Sequence, residues 1–315
     1  MARASNLMTD HPHLRLGTRQ SPLAVIQAEE TRRRLCDAHG WGLDQVELVK
    51  VRASGDKIQD RPLADIGGKA LWTRELDLWL AEGKIDAAVH SMKDVETLRP
   101  ESLTIAAILP RADVRDVLIG ASSVREIPRD AVVGTSAPRR AAQMLYHRPD
   151  CRIVTFRGNV ATRLAKLAAG EADVTLLAAA GLQRLDQAGT GTPLDSKDWI
   201  PAPAQGAIGI ECNTNDAKTR ELIGAINHQQ SFAAVMAERA LLEALGGTCH
   251  SPIAALSFID GDMIDLTASL FSADGAERVD GSVRCKASAL DEIRAFGRDL
   301  LARATPGIAA LFQGG

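Results

Sequence analysis

The sequence predicts an α/β protein of two lobes followed by a smaller α+β domain with an antiparallel sheet. Over the first two thirds of the chain, apolar β-branched runs alternate with helical segments, a pattern typical of parallel sheets with crossover helices. After Asn227 the pattern changes, and Asp-Gly pairs separate short strands as they do in antiparallel hairpins. A chain of 315 residues is long enough for two or three domains of ordinary size.

The first lobe is predicted from its strand and helix signals. Residues 14–17 form a short strand, and the helix that follows has Ser21 as its N-cap, Pro22 in its first turn and Gly40 at its end. We expect two further strands and one amphipathic helix at residues 46–51, 85–89 and 73–82, respectively.

The second lobe is predicted to hold four strands and two helices. The strands are expected at residues 117–119, 132–133, 153–156 and 174–177. The helices begin after Ser136 and after Asn159. Prolines at 193, 201 and 203 mark a connection, and the strand expected at 207–211 is a candidate to return to the first sheet. In such sheets, ligands bind at the carboxyl ends of the strands, near helix N-termini.

The third domain begins with a helix at residues 232–245 that Gly246-Gly247 ends. Hairpin turns are expected at Asp260-Gly261, Asp274-Gly275 and Asp280-Gly281. A last helix covers residues 287–304. These boundaries place domain 1 at residues 1–108 and 204–224, domain 2 at 109–203 and domain 3 at 225–315.

Composition argues against several classes of function. The net charge is −3 and aromatic residues make up 3%, which does not suit a nucleic-acid-binding surface. The chain has no run of 18 apolar residues and its first 13 residues lack an apolar signal core, so we expect neither a membrane span nor secretion. Five scattered cysteines fit a reducing cytosol, and no histidine spacing predicts a metal site.

The first candidate site is the polar segment after the predicted strand at 85–89. Ser91, Lys93 and Asp94 would lie at the exit of that strand, where a carboxylate can stabilise a developing cation or relay a proton. A solvated turn would also explain a Lys-Asp pair at this place.

The second candidate site is a set of arginines at two strand-to-helix junctions. Arg139 and Arg140 follow Thr135-Ser136, and Arg163 follows Arg157-Gly158. Free backbone N–H groups, the helix dipole and guanidinium groups together form a receptor for carboxylate or phosphate. The alternative is that Arg139 and Arg163 lie at the surface and pair there with Asp and Glu.

Three further segments carry candidate residues. Arg19 precedes the cap residue Ser21 at the first strand-to-helix junction, where an anion would lie. Residues 55–72 include Gly67-Gly68-Lys69 without a Walker pattern, and predict a mobile lid at 56–68. Cys249 lies in a loop between glycines and a proline, which favours a modified or nucleophilic thiol over a buried one. A Cys-His protease pair with His250 is disfavoured, because adjacent residues rarely provide that geometry.

Together these segments resemble the porphobilinogen deaminase family, in the family's order and over nearly the whole chain. The most specific motifs are His90-Ser91-Met92-Lys93-Asp94 and Arg157-Gly158-Asn159-Val160. The other segments that carry the resemblance are Arg19-Gln20-Ser21-Pro22-Leu23-Ala24, Gly67-Gly68-Lys69, Gly134-Thr135-Ser136 with Arg139-Arg140, Thr162-Arg163, Gln205-Gly206-Ala207 with Gly209-Ile210-Glu211, and the Cys249 loop.

The resemblance implies a fold, an activity and a cofactor. It implies two lobes like those of periplasmic binding proteins, a cleft between them and a small third domain that carries the cofactor cysteine. The activity would be that of a transferase, hydroxymethylbilane synthase, which joins four porphobilinogen molecules with loss of ammonia. The primer would be one dipyrromethane per chain, held by a thioether to Cys249. The resemblance further implies a cytoplasmic monomer in porphyrin and haem biosynthesis, whose product passes to uroporphyrinogen-III synthase.

The resemblance also implies roles for individual residues. Asp94 would be catalytic, stabilising the cation that porphobilinogen becomes when it loses ammonia. Each pyrrole carries an acetate and a propionate, so the growing chain is a polyanion that arginines would hold. The implied cofactor contacts are Cys249, Ser91, Lys93, Asp94, Thr135, Ser136, Arg139, Arg140, Arg157, Gly158 and Arg163. The implied substrate contacts are Arg19, Ser21, Lys69, Arg157, Arg184 and Gln205.

The chain departs from the family's usual pattern at several positions. Ala137 and Pro138 stand where a serine and a leucine are common, so one hydroxyl donor is lost. Glu96 replaces a frequent proline, and Asp65 and Trp72 occupy unusual positions in the predicted lid. These changes concern cofactor contacts and the lid. The alternative function is that of a cytosolic two-lobed protein that binds or senses a small anion, which would leave Cys249 and the third domain unexplained.

Overall fold

The computed structural model describes residues 13–51, 73–248 and 251–312. The strands are β1 (Leu14–Arg19), β2 (Val46–Val51), β3 (Ala87–Ser91), β4 (Leu103–Ile108), β5 (Asp116–Ile119), β6 (Val132–Gly134), β7 (Arg152–Val154), β8 (Val174–Ala178), β9 (Thr192–Pro193), β10 (Ile208–Asn213), β11 (Ile253–Asp260), β12 (Met263–Phe271) and β13 (Arg278–Lys286). The helices are α1 (Pro22–His39), α2 (Arg74–Ala81), α3 (Pro138–His147), α4 (Val160–Ala168), α5 (Ala179–Arg184), α6 (Ala217–Gly224), α7 (Gln229–Leu245), α8 (Leu290–Arg303) and α9 (Pro306–Ala309).

The first lobe is a five-stranded sheet in the order β2-β1-β3-β10-β4. Its first helix, α1, begins and ends as the sequence predicts. The Ser21 side chain accepts from the backbone N–H of Ala24, and Gly40 ends the helix in the left-handed region. The strand predicted at 85–89 lies two residues later, at β3, and the apolar strand β4 was not predicted.

The second lobe is a five-stranded sheet in the order β7-β6-β8-β5-β9. The alternation of strands and helices predicts parallel sheets, but each lobe also contains antiparallel pairs. In the first lobe β10 lies antiparallel between β3 and β4, and in the second lobe β5 is antiparallel to β8 and β9. The chain crosses between lobes after β4 and returns before β10, so the returning strand enters its sheet from the opposite direction.

The third unit combines the antiparallel sheet β11-β12-β13 with α7 and α8. Turns lie at two of the predicted Asp-Gly pairs, but Asp280-Gly281 lies inside β13 and the turn predicted there is wrong. A Cβ at position 281 would come within 2.8 Å of Phe296 and 3.0 Å of Leu300. The glycine therefore allows α8 to pack closely on the sheet. The predicted arrangement of two α/β lobes and a small α+β unit is confirmed.

A buried carboxylate lies where the three units meet. Glu238 of α7 accepts hydrogen bonds from Nη1 and Nη2 of Arg111 at 2.7 and 3.0 Å, on the segment that leaves the first lobe. It also accepts from the backbone N–H of Ala204, on the returning segment, and from Ser257 of β11. One side chain of the third unit thus holds both connections between the lobes.

Candidate active site

A pocket opens at the carboxyl ends of β1 and β3, in the first lobe. Ligands of α/β sheets commonly bind at this edge. Four predicted site residues, Arg19, Ser21, Ser91 and Asp94, line the pocket. The other lining residues are Leu23, Ala24, Gln27, Thr73, Val89, His90 and Val95.

The end of β3 presents the candidate catalytic carboxylate. A single 3-10 turn, Met92–Asp94, follows the strand directly. The backbone N–H of Met92 donates to Ala207 O at 3.1 Å, and the Met92 side chain is buried beneath the turn. The turn is therefore anchored at its start, and Asp94 lies in the pocket lining as the sequence predicts.

Ser91 is fixed by a neighbour that sequence reasoning did not single out. The amide of Gln27, on α1, lies with its Nε2 2.8 Å and its Oε1 3.1 Å from Ser91 Oγ. Gln27 is buried and lines the same pocket. Its position in α1 faces the sheet, but a glutamine in an otherwise ordinary helix gives no sequence signal of such a contact.

The two arginines of α3 bind a buried carboxylate of their own lobe. Arg139 Nη2 donates to Asp116 Oδ2 at 2.6 Å, and Arg140 donates to Oδ1 through Nε at 3.2 Å and Nη2 at 2.7 Å. Trp199 Nε1 and Gln205 Nε2 also donate to Asp116, at 2.8 and 2.9 Å. Although burial alone would raise the pKa of Asp116, Arg139 and Arg140 hold it well below its usual range.

Arg139 and Arg140 differ in their other hydrogen-bond partners. Arg139 also donates to Gln143 Oε1 and to Ile200 O, so most of its guanidinium serves the interior of the second lobe. Arg140 donates through Nη1 to Leu176 O, and its charge acts on both Lys93 and Arg163. Arg140 is therefore the arginine of this pair that contributes to the field in the cleft.

Positive charge is concentrated around Asp94. Burial lowers the pKa of Lys93 to about 8 despite the neighbouring Asp94, and Arg140 and Arg163 contribute to the lowering. Burial and the charge of Arg140 lower the pKa of Arg163 to about 10, which Asp94 opposes. Burial disfavours the charged forms of Lys93 and Arg163, so both cations would be stabilised by an anion bound beside them. The cleft is thus suited to an anionic ligand.

The N-terminus of α4 carries the second predicted anion site. Gly158 has φ of +109°, a conformation that favours glycine, and its carbonyl accepts from Arg163 Nε at 3.0 Å. Asn159 caps the helix by accepting from Thr162 N at 2.9 Å, so one helix N–H is already satisfied. Arg157 is buried near Arg163, whose pKa its charge lowers.

The other predicted residues of the second lobe have local contacts. Thr135 is buried and its hydroxyl accepts from Ala137 N at 3.2 Å, while Ser136 lies half-buried beside it. Arg184 donates to Gly206 O at 3.2 Å and lies 3.8 Å from Glu30 of the first lobe. Gln205, besides its bond to Asp116, donates to Val114 O at 2.7 Å.

Several predicted residues lie outside the described part of the chain. These are Cys249 with its neighbour His250, Lys69, the whole predicted lid at 56–68, and the unusual Asp65 and Trp72. The four described cysteines are Cys36, Cys151, Cys212 and Cys285, all free and buried. Burial raises the pKa of each, to about 11 for Cys212, which suppresses their reactivity as thiolates.

Sequence reasoning also missed a buried ionic network behind the pocket. Arg99 binds Glu211 of β10 through Nε and Nη2 at 2.9 and 2.8 Å, and reaches Asp77 of α2 at 2.6 Å. His90 Nε2 lies 3.5 Å from the same Glu211. Although burial would raise it, His90 and Arg99 lower the pKa of Glu211 to about 2. A glutamate inside the apolar run of β10 was the available signal of a buried ion pair.

No group of three or more potential metal ligands occurs in residues 13–51, 73–248 and 251–312. Within the same ranges, no helix is long and apolar enough to cross a membrane.

Comparison with known proteins gives full-length similarity to one family. A sequence model described as "Porphobilinogen deaminase, dipyromethane cofactor binding domain" matches residues 14–221, and the C-terminal domain model of the same family matches residues 232–304. A porphobilinogen deaminase from Sphingopyxis alaskensis is 52% identical over 98% of this chain and 99% of that protein. The chloroplastic enzyme of Oryza sativa subsp. japonica is 49% identical over 79% of this chain and 71% of that protein.

Among solved structures, the VFT2 domain of Bordetella pertussis BvgS is similar with a TM-score of 0.42 and 16% identity, covering 70% of this chain and 88% of that chain.

Proposed function

The chain belongs to the porphobilinogen deaminase family, and from this premise we propose how its residues perform the family's reaction. The activity is that of a transferase in tetrapyrrole biosynthesis, hydroxymethylbilane synthase, and the cofactor is dipyrromethane. The family assignment decides against the alternative of a two-lobed anion-binding or sensor protein. The assignment of roles to individual residues rests on the charges around Asp94.

The residues of the cleft fit an acidic pyrrole cofactor. Each pyrrole ring brings two carboxylates, and Lys93, Arg140 and Arg163 provide three positive charges around Asp94. Bound dipyrromethane supplies the pyrrole to which the first substrate is joined. Lys93 and Arg163 would hold its carboxylates, with Arg157, Gly158, Thr135 and Ser136 at the adjoining helix N-termini. Arg139 would support this set through Asp116.

Asp94 is the proposed catalytic residue. When porphobilinogen loses ammonia, its C–N bond breaks and the substrate becomes a cation. The carboxylate of Asp94 would accept hydrogen bonds from pyrrole N–H groups and stabilise that charge in a pocket partly shielded from water. The bound chain would supply the terminal pyrrole carbon for the new carbon–carbon bond, with release of one proton. The single observation that supports this role is the position of Asp94 in the pocket lining, where its charge acts on Arg163 of the second lobe.

Arg19 and Ser21 would receive the incoming substrate, since both line the pocket next to Asp94. Lys69 would act with them, and Arg184 and Gln205 would act at the junction of the lobes, where Arg184 binds Gly206 O.

We further propose that domain 1 comprises residues 1–108 and 204–224, domain 2 residues 109–203 and domain 3 residues 225–315. Sheet membership supports this division. A cytoplasmic monomer that passes its product to uroporphyrinogen-III synthase completes the proposal.

Cys249 is the proposed attachment point of the cofactor. The four described cysteines are buried and have raised pKa values, so they are poor nucleophiles, and Cys249 is the fifth cysteine of the chain. Intact-mass measurement of freshly purified protein should give the sequence mass plus one dipyrromethane, and peptide mapping should find it on Cys249. A Cys249→Ala variant should lack the added mass, whereas Cys285→Ala should retain it. An adduct on another cysteine, or active protein with no adduct, would contradict the proposal.

A further inference from the structure

A short strap, which we define as residues 95–97, runs from the candidate catalytic carboxylate toward the third unit. It begins at Val95, directly after Asp94, and its first backbone N–H donates to Met92 O at 3.2 Å to close the turn. Val95 is 7% exposed and lines the pocket. The position of the strap therefore determines where the turn that carries Asp94 ends.

One guanidinium of the third unit holds the strap. Arg239, in the middle of α7, donates to three successive carbonyls: through Nη1 to Val95 O at 3.3 Å, and through Nη2 to Glu96 O at 2.6 Å and Thr97 O at 2.9 Å. Arg239 is 6% exposed, and removing its side chain would leave three acceptors unpaired. Its two Nη atoms thus bind three carbonyls of the strap.

The same helix is tied to the strap a second time near its end. Thr97 Oγ1 donates to Gly247 O at 3.1 Å, where the chain leaves α7. Ser251 then bonds Thr248 in both directions, through Oγ to the Thr248 N–H and through its own N–H to Thr248 O. In sequence, Cys249 follows Gly247 by two positions. The strap thus connects the turn of Asp94 to the start of the segment that carries the proposed attachment cysteine.

The other side of the strap is held by the first lobe. The Glu96 carboxylate accepts from Thr73 Oγ1 at 2.8 Å and from Arg99 Nη1 at 2.9 Å. Glu96 is the residue that replaces a frequent proline of the family, and here its side chain fixes the strap to the start of α2. The strap is therefore held from both sides and has little freedom to shift.

We propose that Arg239 and Thr97 are positioning residues that fix the Asp94 turn relative to the end of α7 at Gly247, two positions before Cys249 in the sequence. This inference rests on the proposed roles of Asp94 and Cys249. Bond formation between substrate and chain requires reacting atoms placed to within about 1 Å, and misplacement of that size costs on the order of a hundredfold in rate. The strap provides a short covalent and hydrogen-bonded path of residues 94–97 and Gly247 between the two groups that must be placed.

The test uses holoenzyme and a threonine pair of matched chemistry. Thr97→Val removes the bond to Gly247 O at nearly constant volume. Thr214→Val is the control, because Thr214 Oγ1 donates to a backbone carbonyl in the same way, to Glu101 O at 2.8 Å, on the surface. We expect Thr97→Val to lower kcat by about 5–20-fold with KM changed less than about twofold, and Thr214→Val to leave both within about twofold. Thr97→Ser, which restores the hydroxyl, should recover most of the rate.

Arg239→Lys tests the guanidinium itself. A lysine keeps the charge but cannot match three fixed carbonyls, so we expect a larger fall in kcat and a slower assembly of cofactor in apo-protein. Mass spectrometry of the enzyme during turnover should show chains of partial length accumulating in both variants. Equal melting-temperature losses and equal kcat for Thr97→Val and Thr214→Val would overturn the inference. If Asp94→Asn is inactive and Thr97→Val is fully active, the positioning role is wrong and the proposed function stands. If Asp94→Asn is active, the proposed function itself is wrong.

Discussion

Arg140 donates two hydrogen bonds to a single oxygen of Asp116, from Nε at 3.2 Å and from Nη2 at 2.7 Å. The second oxygen of the same carboxylate accepts from Arg139 at 2.6 Å. The two arginines are thus oriented by one carboxylate that is itself fully buried. Their placement depends on Asp116 as much as on α3, so Asp116 is a useful target for testing how the cleft is built.

Asp116→Asn should destabilise the fold and reduce cofactor loading. It leaves two buried guanidinium groups beside a neutral side chain, and breaking a buried ion pair of this kind costs about 3–5 kcal/mol. Urea unfolding and the fraction of holo-protein after expression measure the two effects. Asp113→Asn is the control, because the Asp113–Arg115 pair is partly exposed and should contribute less than about 1 kcal/mol. Equal stability of the two variants would contradict the role given to Asp116.

Acid stability gives a second measure of the Asp116 pair. The folded-state pKa of Asp116 is held below the ordinary carboxyl value, so its contribution is fully present above the unfolded pKa of about 3.9. The contribution is lost as the pH falls below that value toward the folded-state pKa. The stability difference between the parent protein and Asp116→Asn should therefore be constant near neutral pH and shrink below about pH 4.

Cofactor loading and chain elongation should be separable among the arginines. Arg140 contributes to the field on Lys93 and Arg163, so Arg140→Leu should give mostly apo-protein. Arg19 lines the pocket in the other lobe, so Arg19→His should give holo-protein that stalls at partial chain lengths. Intact mass before and after addition of porphobilinogen distinguishes the two. If both variants load cofactor fully and differ from the parent only in apparent substrate affinity, the division of roles is wrong.

Asp94→Asn should lower turnover by about 10²–10⁴-fold, the range expected when a positioned charge-stabilising group is lost. The substitution keeps the size of the side chain, so the melting temperature should change little. The variant has to be supplied with a preassembled tetrapyrrole, because cofactor assembly uses the same chemistry. Single-turnover rates of the loaded protein then measure the effect. A rate within about threefold of the parent would mean that another group carries the chemistry.

Much of the architecture follows from local patterns in the sequence. The cap at Ser21 and the helix end at Gly40 depend on residues that are neighbours in the chain, so they were predicted correctly. The antiparallel position of β10 depends on where the chain crosses between the lobes, and no local sequence pattern indicates this crossing. The turn predicted at Asp280-Gly281 is wrong because Gly281 lies inside β13, where the lack of a side chain allows α8 to pack closely on the strand.

The candidate site was predicted from residue types more than from geometry. Asp94, Arg19 and Ser91 were identified because polar residues at strand exits are frequent in binding sites, and they do share one pocket. That Arg139 and Arg140 bind Asp116 was not predictable, since Asp116 lies more than 20 residues earlier, on strand β5, whereas the arginines lie on α3. Long-range ion pairs of this kind leave only a weak signal, a charged residue next to an apolar run.

Deprotonation of Lys93 should weaken cofactor assembly and substrate binding at alkaline pH. Its pKa is lowered to about 8 by burial and by Arg140, so its positive charge is lost as the pH rises through that value. Bound carboxylates favour the charged form and should raise the apparent pKa in holo-protein. We expect cofactor assembly in apo-protein to slow above about pH 8, and KM of the holoenzyme to rise at higher pH. Lys93→Arg should move both transitions to higher pH, and unchanged profiles would contradict the assignment.

Gly209 should couple the packing of the sheet to the position of Asp94. It lies in β10 beneath Met92, the first residue of the turn that carries Asp94, and a Cβ there would overlap the Met92 sulfur and come within 3.1 Å of Ile108. Met92 is 2% exposed and cannot move into solvent, so Gly209→Ala must displace the turn or expand the core. Overpacking costs about 1–3 kcal/mol, and we expect kcat to fall more than this loss of stability would explain. Gly224→Ala is the control, since no atom lies within 4 Å of the added methyl group.

Met92→Ala should restore activity in the Gly209→Ala background by relieving the overlap, and a double-mutant cycle on kcat measures this coupling. Additive effects of the two substitutions would mean that the turn is insensitive to the residue beneath it.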